Sequence, residues 1–117
     1  MGEAKGTDGS GDETKLLILI ARTEESFDPV VTALLDAGIT GATILESRGL
    51  GAIIRSEMPI FAGLAALLPH ATGSRVILSV ATQSSIDALM RFVGQLPREQ
   101  RPIGVTMPAT TVLGLEP

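Results

Sequence analysis

The chain has 117 residues, with 9 Lys and Arg against 13 Asp and Glu, and a formal net charge of −4. Four of the acidic residues lie in the first fourteen positions and the rest of the chain is close to neutral, so no charge pattern suggests a nucleic acid or a membrane surface as partner. The length fits one domain, and the lack of Cys, Trp, Tyr and Asn beside a single His excludes disulfides, cysteine nucleophiles and histidine-rich metal sites within one chain.

The segment 1–14, MGEAKGTDGSGDET, contains four Gly and no Val, Ile, Leu or Phe. Such a segment cannot bury enough apolar surface to offset its ordering entropy, so we predict a disordered tail; the alternative is an arm that orders on binding. One folded domain is expected over 15–117. No apolar run approaches the ~18–20 residues of a bilayer span, so we predict a soluble protein without membrane insertion. A cytoplasmic location is the default expectation.

The first βα unit is predicted from a change in apolar period. The run 15–22, KLLILIAR, is short and continuous, which is typical of a strand covered on both faces. Ser26 is then expected to cap an amphipathic helix. Gly38 is expected to close that helix as the residue after its C-cap.

A second strand and a long connection are predicted next. The segment 39–48, ITGATILESR, alternates as a strand does, and Gly49 and Gly51 are expected to end it, because glycine allows backbone angles that a Cβ forbids. A hydrophobic helix is predicted over 60–68.

The second βα unit repeats the first at an offset of sixty residues. The segment 75–82, RVILSVAT, is predicted as a strand, and Ser84 or Ser85 as the cap of a helix. A closing strand is predicted over 103–107, and 111–115 is predicted as a short last strand.

Two βαβ halves joined by a long connection indicate an α+β protein with a ferredoxin-like βαββαβ sandwich, an antiparallel sheet with two helices on one face. Its strands are too apolar to leave the other face in water. We therefore predict a homo-oligomer whose sheets pack together; the alternative is that 60–68 folds back as a lid within the chain.

The stretch 38–51, GITGATILESRGLG, resembles the end of the first helix, the second strand and the start of the T-loop in the PII nitrogen-regulatory signalling family. The family pattern there is Gly-hydrophobic-x-Gly-x-Thr-hydrophobic-x-Glu-x-basic-Gly-hydrophobic-Gly. The resemblance implies a PII-like homotrimer whose sheets line a central barrel and whose inter-subunit clefts bind adenine nucleotides. Occupancy of the clefts would set the conformation of the T-loop region, here 52–74, and so control a partner such as a transporter or a nitrogen-metabolism enzyme.

The same resemblance gives the candidate effector-binding residues, which belong to the T-loop base and to the loop that cradles phosphates in the family. They are Thr43, Gly49, Leu50, Gly51, Ala52, Arg98 and Arg101. The glycine amides would approach a phosphate or another small anion. The alternatives are that the glycines only form a tight turn and that the two arginines are solvated.

Several positions depart from the family pattern. The segment 96–102 has no Gly or Lys, and 112–116, VLGLE, replaces a C-terminal Arg pair. Tyrosine uridylylation is excluded because the chain has no Tyr. Ser56 is predicted as a helix N-cap rather than a phosphorylation site.

The segment 56–68 is expected either to pack on the trimer or to bind a partner through Ile60, Phe61 and Leu64. We predict a regulatory protein that is not an enzyme, with no obligatory cofactor and no metal, and with an adenine nucleotide or a small anion as effector. The alternative is an effector-independent interaction or scaffold protein with a PII fold and a degenerate nucleotide site.

Overall fold

The computed structural model describes residues 12–58, 60, 63 and 74–114. Most of the predicted helix over 60–68, with Phe61 and Leu64, lies outside the described residues, as does 1–11. The elements in chain order are β1 (Thr14–Ala21), α1 (Glu24–Asp36), β2 (Thr43–Glu46), α2 (Leu50–Glu57), β3 (Arg75–Thr82), α3 (Gln83–Gly94), a short 3-10 helix (Arg98–Gln100) and β4 (Ile103–Pro108).

The four strands form one sheet in the order β2-β3-β1-β4, and every neighbouring pair is antiparallel. In the central strand, Leu17 lies opposite Ser79 of β3 and opposite Thr106 of β4. Each helix therefore crosses between two strands that have a third strand between them, which is the connection of a βαββαβ sandwich. The predicted α+β class with a ferredoxin-like βαββαβ sandwich is confirmed.

The hydrophobic core lies between the sheet and the two long helices. Alternate residues of β1 and β3 point into it, because successive side chains of a strand point to opposite faces. The core consists of Leu17, Leu19, Val30, Ala33, Leu34, Ala37, Ile39, Ile77 and Leu89. Burial of each larger side chain stabilises the fold by roughly 1.5–3 kcal/mol, so this layer carries most of the stability.

The opposite face of the sheet is also apolar. The register places the remaining residues of the three longer strands on this face: Leu16, Ile18, Ile20, Val76, Leu78, Val80, Ile103, Val105 and Met107. On β4, Ile103 is 48% exposed, Val105 51% and Met107 44%. We call these nine residues the open face.

Both long helices begin at a threonine rather than at the predicted serines. Thr23 caps α1: its hydroxyl accepts from the Ser26 amide at 3.1 Å, while the Ser26 hydroxyl accepts from the Thr23 amide at 3.3 Å. Thr82 caps α3 by accepting from the Ser85 amide at 3.3 Å. The predictions of Ser26, and of Ser84 or Ser85, as caps are therefore wrong. Each helix begins about one turn earlier than predicted. There a threonine hydroxyl accepts from the backbone amide three residues further on, which has no acceptor within the helix.

The end of α1 confirms the role predicted for Gly38. Its φ is +83°, and its amide donates to the Leu35 carbonyl at 3.0 Å. The Ile39 amide donates to the Leu34 carbonyl at 2.9 Å, which completes a Schellman motif. Glycine suits this position because a Cβ disfavours positive φ.

The region after α1 differs from its prediction in three places. β2 has four residues, Thr43–Glu46, instead of the ten predicted over 39–48. β2 ends at Glu46, and Gly49 is the N-cap of α2, so the Gly-Leu-Gly sequence begins a helix instead of ending the strand. Ser56 lies inside the last turn of that helix rather than at an N-cap. The part of the predicted last strand that the structure describes, 111–114, is not a strand.

Candidate functional site

The short length of β2 leaves part of β3 without a neighbour on one side. Thr43, the first residue of β2, lies opposite Leu78, whereas β3 continues to Thr82. The chain segment 38–42, which joins α1 to β2, does not pair with this part of β3. The sheet edge therefore has a vacant position beside residues 79–82.

The hydrogen-bonding pattern shows which backbone groups face the vacancy. In an antiparallel ladder, residue pairs that exchange two hydrogen bonds alternate with pairs that exchange none. The Ser47 amide donates to the Ser74 carbonyl at 2.9 Å, so this is a hydrogen-bonded pair. Counting along β3 in steps of two from Ser74 reaches Val80, whose partner in a longer β2 would be Gly41. The N–H and C=O of Val80 thus point to the vacant position.

The other edge of β3 agrees with this assignment. The Gln83 amide donates to the Glu13 carbonyl at 2.8 Å, which makes the odd-numbered residues of β3 the partners of β1. The Val80 backbone groups therefore do not point to β1. Within the described part of the chain, no hydrogen bond from the 38–42 segment reaches them.

A side chain holds the Gly41 carbonyl away from Val80. The Ser79 hydroxyl donates to this carbonyl oxygen. Ser79 is 5% exposed and lies on the helix-facing side of β3, the same side as Ile77. Over the described residues the Gly41 carbonyl therefore accepts from a side chain of β3 and not from the Val80 N–H.

The vacancy opens into a groove of about 750 Å³. We call it the groove; it is lined by residues 38–43, by residues 78–82, and by Leu16, Ser85, Val112 and Leu113. None of these lining residues is charged or aromatic. Its polar groups are side-chain hydroxyls and the backbone of Val80, so the groove favours an uncharged ligand group with hydrogen-bond donors and acceptors.

The structure separates the predicted effector-binding residues into three places. Thr43 lines the groove. The stretch from Gly49 to Ala52 forms the start of α2, at the far end of β2, and Gly51 is buried there. Four strand residues span about 13 Å between Thr43 and Ser47, so within one chain Thr43 and the start of α2 do not contact the same small ligand.

The two predicted arginines lie near the C-terminal end of α3. The Arg101 guanidinium donates from Nε to the Leu96 carbonyl at 2.9 Å and from Nη2 to the Gly94 carbonyl at 3.0 Å. Arg98 is exposed in the 3-10 helix, and neither arginine lines the groove. Of the predicted partner-binding residues, Ile60 is 86% exposed.

Of the residues that line the groove, only Thr43 belongs to the predicted effector-binding set; the others, among them Ser79, Val80, Val112 and Leu113, were missed by sequence reasoning. Ser79 was part of an apolar strand and gave no separate signal. Val112 and Leu113 were noted only because they replace basic residues of the family pattern. The groove is revealed by the unequal lengths of β2 and β3. These lengths follow from contacts between distant parts of the chain.

The remaining charged contacts are structural in character. Arg48 and Glu57 form an ion pair that connects the end of β2 to the end of α2. The Arg75 guanidinium lies 4.4 Å from the centroid of the Phe27 ring and 3.9 Å from the Glu24 carboxylate. Over the described ranges, no three His, Asp or Glu side chains are grouped to hold a metal ion. No described helix has the length and apolar character to cross a bilayer.

No protein-family model matches the chain, and the comparison with curated proteins found no relative. Among solved structures, the chain is similar to the crystal structure of Arabidopsis thaliana PII bound to citrate. The two are 16% identical, the match covers 84% of this chain and 78% of that one, and the TM-score is 0.49. Family membership does not follow from these figures.

Proposed function

We propose that this chain is a PII-like regulatory protein, not an enzyme, which binds a small effector in the groove and transmits its occupancy to a partner protein. The observation that carries the proposal is the unpaired N–H and C=O of Val80 beside the Thr43 hydroxyl. An adenine ring presents a donor and an acceptor side by side on one edge, which complements such a pair. The uncharged lining suits the ring and the sugar of an adenine nucleotide.

A site between subunits accounts for the separation of the candidate residues. Thr43 and the start of α2 lie at opposite ends of β2, so one ligand contacts both only if two chains contribute. The open face provides the apolar surface through which copies of the chain would associate. The resemblance of 38–51 to the PII family favours a trimer among the closed oligomers.

The phosphate groups, or a small anion acting alone, would lie outside the uncharged groove. Two features of the chain suit them. The N-terminus of α2, with Gly49 as its cap, presents backbone amides and the positive end of a helix dipole. Arg98 is an exposed cation on a second loop.

Effector binding would be signalled to the partner protein through the T-loop region, 52–74. Its first part is α2, which the Arg48–Glu57 ion pair connects to the end of β2. A ligand at the start of α2 would bias this helix toward one position, and the partner would distinguish the two states. A transporter or a nitrogen-metabolism enzyme is the expected class of partner.

A second function is favoured by one observation, the absence of a cation among the described residues that line the groove. On this alternative the chain is an effector-independent interaction or scaffold protein. It would bind its partner through Ile60, Phe61 and Leu64.

The proposal is tested by thermal unfolding in the presence of ATP, ADP, AMP, cyclic nucleotides, 2-oxoglutarate and bicarbonate. A ligand that binds only the native state, at a hundredfold excess over its dissociation constant, stabilises that state by roughly 2.7 kcal/mol. We expect an adenine nucleotide to raise the unfolding midpoint.

A matched pair of variants locates the site. Thr43→Val removes the hydroxyl in the groove and keeps the side-chain volume, and we expect it to reduce the nucleotide-induced shift. Thr32→Val, on the exposed side of α1, is the control and should leave the shift unchanged. If no compound shifts the wild-type midpoint, the effector proposal is wrong and the scaffold function replaces it.

A further inference from the structure

We infer that Ser79 is the positioning residue that keeps the groove open, by holding the Gly41 carbonyl out of the sheet. The inference rests on the proposed function of the groove and assigns a determinant of that site. Ser79 is buried and is one of the residues that line the groove; its hydroxyl bonds the Gly41 carbonyl, which leaves the Val80 backbone facing the groove.

The Gly41 carbonyl has two competing donors on adjacent residues of β3. One is the Val80 N–H, which the register places opposite Gly41 if β2 is extended by two residues. The other is the Ser79 hydroxyl, which the structure shows as its donor. These donors point in different directions, one within the sheet and one toward the helices. A carbonyl oxygen can accept two hydrogen bonds, but over the described residues this one accepts from the Ser79 hydroxyl and not from the Val80 N–H, so the two bonds define alternative arrangements of Gly41.

The two choices define an open and a closed groove. With Gly41 bonded to Ser79, the Val80 backbone faces the groove and is available to a ligand. If the Gly41 carbonyl instead accepts from the Val80 N–H, residues 41–42 would join β2. The Val80 N–H and C=O would then no longer face the groove. The ligand and the Gly41 carbonyl thus compete for the Val80 N–H.

Burial explains why the open form prevails. Ser79 is 5% exposed, and a buried hydroxyl without a partner is costly. The Val80 residue is half-buried and faces the groove, so water or a ligand can satisfy its backbone.

Two variants of nearly equal volume separate the hydroxyl from packing. Ser79→Val and Ser79→Thr both add bulk at the same buried position, and only Thr keeps the hydroxyl. The measurement is hydrogen exchange of the Val80 amide by NMR in the ligand-free protein. We expect exchange to slow at least tenfold in Ser79→Val, because the amide then bonds to Gly41, and to stay within twofold of wild type in Ser79→Thr.

The opposite results are equally clear. Equal exchange rates in wild type, Ser79→Val and Ser79→Thr would overturn the inference, and so would equal slowing in both variants, which would assign the effect to packing. Ser79→Ala, which removes the hydroxyl without adding bulk, replaces Ser79→Val if that variant does not fold, with the same expected slowing.

Ligand affinity gives a second readout that is distinct from the first. We expect Ser79→Val to weaken ATP binding about tenfold, and Ser79→Thr to restore wild-type affinity. If ATP does not bind the wild-type protein while Val80 exchange responds as expected, the nucleotide proposal fails and the role of Ser79 in opening the groove stands. If ATP binds all three proteins equally, Ser79 is not a determinant of the site.

Discussion

At the scale of single residues, Arg101 combines a predicted ligand role with an observed structural one. Its guanidinium donates to the carbonyl of Gly94, the last residue of α3, and to the carbonyl of Leu96 just beyond it, where carbonyls lack helical partners. A cation also interacts favourably with the negative end of the helix dipole. The residue therefore contributes to stability whether or not an effector binds.

We expect Arg101→Ala to lower the free energy of unfolding of the ligand-free protein by about 1 kcal/mol, since two exposed hydrogen bonds and one charge–dipole contact are lost. Arg98→Ala is the matched control, and it should leave stability within about 0.5 kcal/mol of wild type. Urea unfolding measures both. Equal stability of the two variants would show that the Arg101 contacts contribute nothing.

At the scale of elements, the sequence predicted the strands better than the features that bound them. β1 and β3 each coincide with a short, mostly apolar run, which is the pattern of a strand buried in a sheet. β4 alternates apolar residues with small or polar ones, and its range agrees with the predicted 103–107 to within one residue. β2 was predicted with ten residues because 39–48 alternates as a strand does. Its observed length depends on a hydrogen bond between Ser79 and Gly41, which are 38 positions apart, and no local pattern reports such a contact.

The starts of the two long helices also could not be predicted from the local sequence pattern alone. Hydroxyl residues lie at positions 23 and 26 around the start of α1 and at 82, 84 and 85 around the start of α3. Each is an acceptable cap by residue type, so propensity alone does not choose among them. The choice follows from where the preceding strand ends: β1 ends at Ala21 and β3 at Thr82.

The capping of α1 gives a prediction at this scale. Thr23→Ala removes the acceptor for the Ser26 amide, and we expect it to cost about 1 kcal/mol of stability and to lower the melting temperature by about 4–8 °C. Thr32→Ala, at an exposed position inside the same helix, is the control. It should be neutral or slightly stabilising because Ala has the higher helix propensity. A Thr23→Ala variant as stable as wild type would contradict the cap.

At the scale of the whole molecule, the open face is the feature that the sequence anticipated most directly. The alternating residues of three strands are apolar on the side away from α1 and α3, and the two helices cover the other side. The groove at the β3 edge could not be predicted from the sequence, because four separate parts of the chain meet there.

Association through the open face is tested by Val105→Glu, which places a charge at a position that is 51% exposed in the single chain. Burying that charge between copies would be unfavourable, so we expect a trimer for wild type and a folded monomer for the variant in sedimentation equilibrium. Met90→Glu makes a comparable change on α3, where Met90 is 67% exposed, and should remain trimeric. A trimeric Val105→Glu variant would assign the interface to another surface.

The lack of aromatic residues in the described lining of the groove makes a fluorescent probe of ligand binding possible. The chain contains neither Trp nor Tyr, and Leu113, which is 84% exposed, lies at the rim of the groove. A Leu113→Trp substitution would introduce a single indole into a protein whose other aromatic side chains are three Phe. Its fluorescence would report polarity and quenching at this one location without background from other fluorophores. Ligand arrival could then be followed by stopped-flow mixing in the unlabelled protein.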